Sequence, residues 1–274
     1  MGPRDMATTL IPHYRTLGKT GIKVSPLGLG TVKFGRNEKV KYPSPFDLPD
    51  EDVLANLLAE ARALGINVID TAPAYGLAEE RLGRLLTGQR DDWVIVGKAG
   101  ENFSGGISSY DFSPAAIRRS VENSLQKLQM DYLDVLLLHA TTGDEALCHN
   151  NALLKTLADL KAEKLVRAVG LSTHSVAAGL AGAKIFDVLM VAYSPGWRAE
   201  ASVIQVAAEN GCGILLKKIF NSGHAVTDNA DMVLETFKFV FANPAVAAAI
   251  VGTINPHHLR DNVAKLMRVL PYLR

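Results

Sequence analysis

The apolar positions of this chain fall into two alternating patterns: short continuous runs, and longer stretches where apolar residues recur at helical intervals. The first pattern reads as buried strands, the second as amphipathic helices. Strands are predicted at 27–31, 67–70, 93–96, 132–138, 166–171, 187–192, 213–216 and 247–251. Helices at 52–64, 79–87, 114–128, 151–163, 175–182, 199–210, 230–242 and 256–268 alternate with them. Local signals agree: Gly65 stops one helix, and Ser113-Pro114 opens another with a serine cap and a first-turn proline. Ahead of the first strand, residues 13–26 read as a hairpin that turns at Gly18-Lys19-Thr20-Gly21 between Leu17 and the pair Ile22 and Val24. Residues 35–50, polar and with three prolines, are long for a connector and read as a binding loop or lid.

Strands that alternate with helices imply a parallel sheet covered by helices. Eight such units favour a closed (β/α)8 TIM barrel over an open doubly wound sheet. The open sheet is further disfavoured because Gly28-Leu29-Gly30 lacks the third glycine of a dinucleotide fingerprint and leads into a loop. The hairpin would then plug the N-terminal end of the barrel. No shift in composition marks a linker, so residues 1–274 are expected to form a single barrel domain, with a short disordered tail over about residues 1–10 and Met6 as an alternative start.

Composition narrows the function. A net charge of +1 gives no reason to expect nucleic acid. Cys148 and Cys212 are far apart and fit two inert thiols in a reducing compartment. There is no apolar signal core and no run long enough to span a bilayer, so a cytoplasmic protein without membrane contact is expected. His257 and His258 are adjacent without a second ligand cluster, so no metal is expected. No exposed apolar helix face demands a partner, which fits a monomer or weak homo-oligomer.

Chemistry in such barrels sits at the C-terminal ends of the strands. Here those ends carry Asp70, with Tyr75 just beyond, then Lys98, His139, Ser172-Thr173, Met190 to Tyr193, and Lys217-Lys218. Each residue alone has a structural alternative: a turn-bonded aspartate, a snorkelling lysine, a satisfied core histidine, a loop-anchoring tyrosine. Together they make a general acid. A tyrosine hydroxyl, with an ordinary pKa of about 10, donates poorly at neutral pH. An ammonium beside it favours the phenolate, a carboxylate holds that ammonium, and a histidine can orient a carbonyl oxygen. Such a site suits carbonyl reduction, and the hydride must come from a cofactor, because no side chain carries one.

The hairpin LGKTGIKVSPLGLGT, the segment VIDTAPAYG, the VGK ending at Lys98, the LDVLLLH ending at His139, the VGLST at 169–173 and the closing VGTINPHHLRDN fall in one order. From Tyr14 to about Met267 the chain resembles the aldo-keto reductase family. The resemblance implies an NAD(P)H-dependent oxidoreductase that reduces aldehydes or ketones, with Asp70, Tyr75, Lys98 and His139 as a catalytic tetrad and Tyr75 as proton donor. It implies cofactor contacts from Gly30, Thr31, Asp70, Ser172, Thr173, Met190, Lys217, the loop Lys218, Ile219, Phe220 to Gly223, and Gly252, Thr253, His258 and Asn262. Several positions depart from the family pattern. Threonine replaces asparagine at Thr173, Met190 stands where a glutamine would hold the nicotinamide amide, and Lys217 stands where an aromatic would stack, so its alkyl stem is expected to cover the ring. Where some members carry lysine and arginine around the 2′-phosphate, this chain has Gly252 and His258. NADPH is the expected cofactor, with NADH as the alternative.

The substrate is expected to be a small carbonyl compound touching Tyr75, His139 and Phe34. Phe34, Tyr42, Phe103 and Tyr110 are candidate pocket walls, in loops 33–50, 99–112 and 140–150. Ending at Arg274 without the family's longer tail, the chain is expected to have a pocket open on that side. Two other functions fit less directly. One is the reverse activity, an NAD(P)-dependent sugar or alcohol dehydrogenase. The other is a non-catalytic nucleotide-sensing subunit, for which Met190 and Lys217 leave room and against which the intact tetrad argues.

Overall fold

A computed structural model describes residues 14–40, 45–220 and 230–272. Eight parallel strands close into a barrel: β3 (Leu27–Gly30), β4 (Val68–Asp70), β5 (Val94–Ala99), β8 (Leu133–His139), β9 (Val166–Ser172), β10 (Val188–Ala192), β11 (Gly213–Lys217) and β12 (Val246–Val251), with β12 pairing back onto β3. Helices α2 (Glu51–Ala63), α3 (Ala78–Leu85), α4 (Pro114–Leu128), α5 (Asn151–Ala162), α6 (Val176–Gly182), α7 (Ala201–Asn210), α8 (Ala230–Phe241) and α9 (Pro256–Met267) follow the strands in turn. This is the (β/α)8 barrel expected from the sequence. The Ser113 hydroxyl accepts from the Ala116 amide and caps α4, with Pro114 in its first turn.

Strand alternation sorts the side chains into two cores. Outward residues such as Ile69, Ile95, Leu136, Leu171, Leu189 and Leu216 meet the helices. Inward residues Val68, Val96, Leu137, Ala168, Met190, Leu215 and Ile250 fill the barrel, joined from below by Leu17, Ile22 and Val24. Leu17 and Ile22 lie in the turn of a short antiparallel hairpin, β1 (Arg15–Thr16) and β2 (Lys23–Val24), and Val24 ends its second strand. It is tied on by Asn67, whose side chain accepts from the Ser25 amide at 2.7 Å and donates to the Lys23 carbonyl at 2.9 Å. The hairpin therefore plugs the barrel's N-terminal end.

Two elements were not foreseen. Residues Val32–Gly35 form a single helical turn, α1, and Ala99 leads into a second hairpin, β6 (Glu101–Ser104) with β7 (Ile107–Tyr110). Among the described residues no helix is long and apolar enough to cross a membrane. The expected N-terminal tail lies outside the described residues.

Candidate active site

The inward alternation that fills the barrel ends in polar groups at its C-terminal mouth. Two residues beyond Val68 comes Asp70; beyond Val96, Lys98; beyond Leu137, His139; beyond Ala168 and Gly170, Ser172; beyond Leu215, Lys217. One sheet periodicity therefore delivers five polar side chains to one place.

Lys98 is 2% exposed and its ammonium donates to the Asp70 carboxylate and, at 3.1 Å, to the Thr71 carbonyl. Asp70 is 4% exposed, and its own carbonyl accepts from the Thr31 amide at 3.0 Å and the Thr31 hydroxyl at 2.9 Å. A buried ion pair of this kind persists only where hydrogen bonds hold both partners. The Lys98 ammonium also lies 4.8 Å from the centroid of the Tyr75 ring. Tyr75 closes a 3-10 turn, Pro73–Tyr75, and meets His139 edge to face, ring centroids 6.1 Å apart. The structure thus brings Asp70, Tyr75, Lys98 and His139 together.

A fifth group was missed in the sequence. Glu101, first residue of β6, places Oε2 2.8 Å from His139 Nδ1. The approach departs from the geometry of a linear hydrogen bond, so Glu101 acts on the ring mainly through its negative charge at short range. Ser108 on β7 donates to the other carboxylate oxygen at 2.7 Å. Burial works against the Glu101 charge, but His139, Ser108 and Arg36 outweigh it and hold its carboxyl down at about 2. The His139 imidazole is pushed below its ordinary value by burial and by Lys98 and Lys217, with Glu101 pulling the other way. Arg36 lies over Phe103 at 3.4 Å from the ring centroid and donates to the Ala74 carbonyl at 3.1 Å, joining the second hairpin to the turn that carries Tyr75. The available signal was Gly105-Gly106 between ENFS and ISSY, a two-residue hairpin turn with both glycines at positive φ.

Of the expected cofactor residues, Gly30, Thr31 and Asp70 sit on the tetrad's own strands or beside them, and the others lie on β9 to β12 and the loops after them. Lys217 donates to Ser172 Oγ at 3.0 Å and to the Thr173 carbonyl at 2.6 Å, so its ammonium is turned toward the end of β9. Burial pushes it down to about 8. Among the described residues nothing accepts the Ser172 hydroxyl proton, so that group keeps a donor for a ligand. Thr173 is committed: its hydroxyl lies 2.5 Å from Glu200 and 3.2 Å from the Met190 carbonyl. Glu200, on the loop before α7, also accepts from the Ala192 amide, and burial raises its carboxyl. The Met190 side chain is inside the barrel and offers no donor. Lys218 is exposed at a positive φ, whereas Ile219 is 2% exposed and Phe220 packs edge to face on Phe237, so these two are anchors with only backbone to offer. Gly223 lies outside the described residues. Gly252 is exposed, while Thr253 accepts from the Asn255 amide and Asn255 caps α9, whose first turn exposes His258 and whose next turn carries half-buried Asn262. Gly30 fits its close neighbours, since a Cβ there would lie 3.1 Å from Ile250.

Phe34 requires a correction. Placed among the pocket walls as a loop aromatic, it belongs instead to the turn α1 and is fully buried in the core between barrel and helices. Burying a phenylalanine stabilises by about 1.5–3 kcal/mol, which favours keeping the ring in the core. Tyr110 is exposed on β7, Phe103 lies under Arg36, and Tyr42 is outside the described residues. Cys148 and Cys212 are free and buried, their thiols pushed up to about 11 and about 12. Among the described residues no group of histidine, cysteine and carboxylate side chains is arranged to hold a metal.

Comparison with known proteins fits this geometry. The model of the aldo/keto reductase family matches residues 26–233. The chain belongs to the aldo-keto reductase family. A solved structure of PA4992 from Pseudomonas aeruginosa, assigned to the aldo-keto reductases, is 50% identical, covers 96% of this chain and 98% of its own, and superposes with a TM-score of 0.87. Pyridoxine 4-dehydrogenase of Escherichia coli is 29% identical over 88% of this chain and 89% of its own length. L-Galactose dehydrogenase of Arabidopsis thaliana is 38% identical over 46% of this chain, a match that spans only 38% of that enzyme. As a member of this family the protein is an oxidoreductase.

Proposed function

We propose that the protein reduces aldehydes or ketones to alcohols, with a reduced nicotinamide dinucleotide as hydride source and Tyr75 as proton donor. The observation that carries this reading is the buried Lys98–Asp70 pair, which keeps an ammonium 4.8 Å from the Tyr75 ring at the barrel mouth. A cation there favours the phenolate that remains once Tyr75 has given up its proton. Asp70 and the Thr71 carbonyl keep Lys98 from turning to solvent. His139, on the other edge of Tyr75, orients the substrate oxygen, and the substrate lies against Tyr75 and His139.

A bound nicotinamide would supply the hydride. The donor set fits such a group in part. Ser172 retains a hydroxyl proton for the carboxamide, Lys217 and Lys218 supply positive charge on that side, and the N-terminus of α9 with Thr253, His258 and Asn262 suits a phosphate. Thr173 and Met190 supply nothing to it directly. The phosphate-suited helix end favours NADPH over NADH. A small carbonyl substrate and two inert thiols fit a reducing cytoplasm. The test is consumption of NADPH and of NADH by the purified protein with a panel of aromatic and aliphatic aldehydes. Turnover faster with NADPH supports the reading; saturable cofactor binding with no turnover on any carbonyl favours a nucleotide-sensing subunit.

A further inference from the structure

His139 has two ring nitrogens, and in a neutral imidazole only one carries a proton. Which one it is decides what the other can do to a substrate oxygen. Glu101 settles this from outside the tetrad. Its carboxylate only accepts, and it stands 2.8 Å from Nδ1, a buried nitrogen with no hydrogen-bond partner among the described residues. A negative charge held that close to Nδ1 and farther from Nε2 favours the tautomer with its proton on Nδ1. Nε2 is then a lone pair when the ring is neutral and a donor only when the ring is an imidazolium.

We propose that Glu101 is a positioning residue for His139: its fixed negative charge keeps the proton on Nδ1 and supplies the counter-charge that lets His139 donate from Nε2 to a carbonyl oxygen. The inference rests on the reductase reading of the site. It changes what that reading requires, because carbonyl reduction then needs a doubly protonated His139, while a neutral His139 can only accept, as from an alcohol hydroxyl.

The surroundings make the counter-charge matter. The groups facing His139 are Glu101 from β6, Lys98 from β5, Lys217 from β11 and the Tyr75 phenol from the 3-10 turn. Two of these are cations that oppose a charged imidazole, and burial opposes it further. Glu101 is the carboxylate set against them. It is not a free loop side chain. Glu101 and Phe103 alternate onto the half-buried face of β6, Ser108 holds one carboxylate oxygen, and Arg36 clamps Phe103 from the other side.

The experiment compares the wild type with Glu101→Gln, which keeps the shape and removes the charge. Histidine-selective NMR follows the His139 ring, assigned with His139→Asn, and kcat for aldehyde reduction is measured across the same pH range. In Glu101→Gln the His139 titration is expected to move down by about one pH unit or more. The pH at which kcat falls should move by the same amount, with Kd for NADPH unchanged and Glu101→Asp restoring part of the shift. A His139 titration that stays in place in Glu101→Gln overturns the pairing. A titration that moves while the kcat profile stays overturns the catalytic consequence. A wild type without carbonyl reduction overturns the reading on which the proposal rests, and the titration still decides the pairing by itself.

Discussion

Gly35 and Gly76 meet backbone to backbone. A Cβ on Gly35 would lie 2.4 Å from the Tyr75 carbonyl oxygen and 2.1 Å from the Ala78 amide, and one on Gly76 would lie 2.2 Å from the Gly35 carbonyl oxygen. Gly76 also has φ +62, and the Leu77 amide donates to Gly35 across the contact. The turn that carries Tyr75 is thus seated directly on the turn after the first barrel strand. Gly35→Ala forces main chain apart on both sides. It is expected to destabilise by about 1–3 kcal/mol or more in urea melts. It should also lower kcat more than it weakens NADPH binding, because Tyr75 moves while the opposite side of the mouth does not.

Glu79, in α3, is 1% exposed, with Oε1 unpartnered among the described residues, and burial lifts its carboxyl from 4.5 to about 7. Its folded value lies above the unfolded one, so the unfolded chain sheds this proton first and stability falls as pH rises between the two values. Glu79→Gln removes the effect. The stability of Glu79→Gln relative to wild type should grow between about pH 4.5 and pH 7, toward about 2–3 kcal/mol. A difference that stays flat across that window in urea melts contradicts the assignment.

Lys217 gives the complementary case. Burial lowers it from 10.5 to about 8, so between those values the unfolded chain holds the proton that the folded chain has lost. Stability rises with pH in that window. Relative to Lys217→Met, the wild type should therefore gain thermal stability from about pH 8 to about pH 10.5 and show no such trend below it. A constant difference in Tm across both ranges would mean that Lys217 titrates as an exposed lysine.

Much of this was legible in the sequence because strand alternation is a strict geometric rule. Once Val68-Ile69-Asp70 reads as a strand, Asp70 must share a face with Val68, and the same step carries Lys98, His139, Ser172 and Lys217 inward. What was not legible depends on partners far apart in sequence. Nothing near Thr173 announces that its hydroxyl is held by Glu200, 27 residues on. Phe34 was misplaced because Val32–Gly35 coils into one turn of helix that swings the ring into the core, and no periodic pattern marks so short an element. Glu101 was passed over because its segment was read as an open loop, although Gly105-Gly106 marks a tight turn with strands on either side.

On the proposed function, Tyr75 delivers the proton to a carbonyl oxygen while the dinucleotide is held independently of it. The most direct measurement is steady-state NADPH consumption with an accepted aldehyde by wild type and Tyr75→Phe, beside NADPH binding by fluorescence. Turnover is expected in the wild type, with a loss of kcat of about 100-fold or more in the variant and an unchanged Kd for NADPH. A variant that reduces the aldehyde at the wild-type rate would contradict this role of Tyr75.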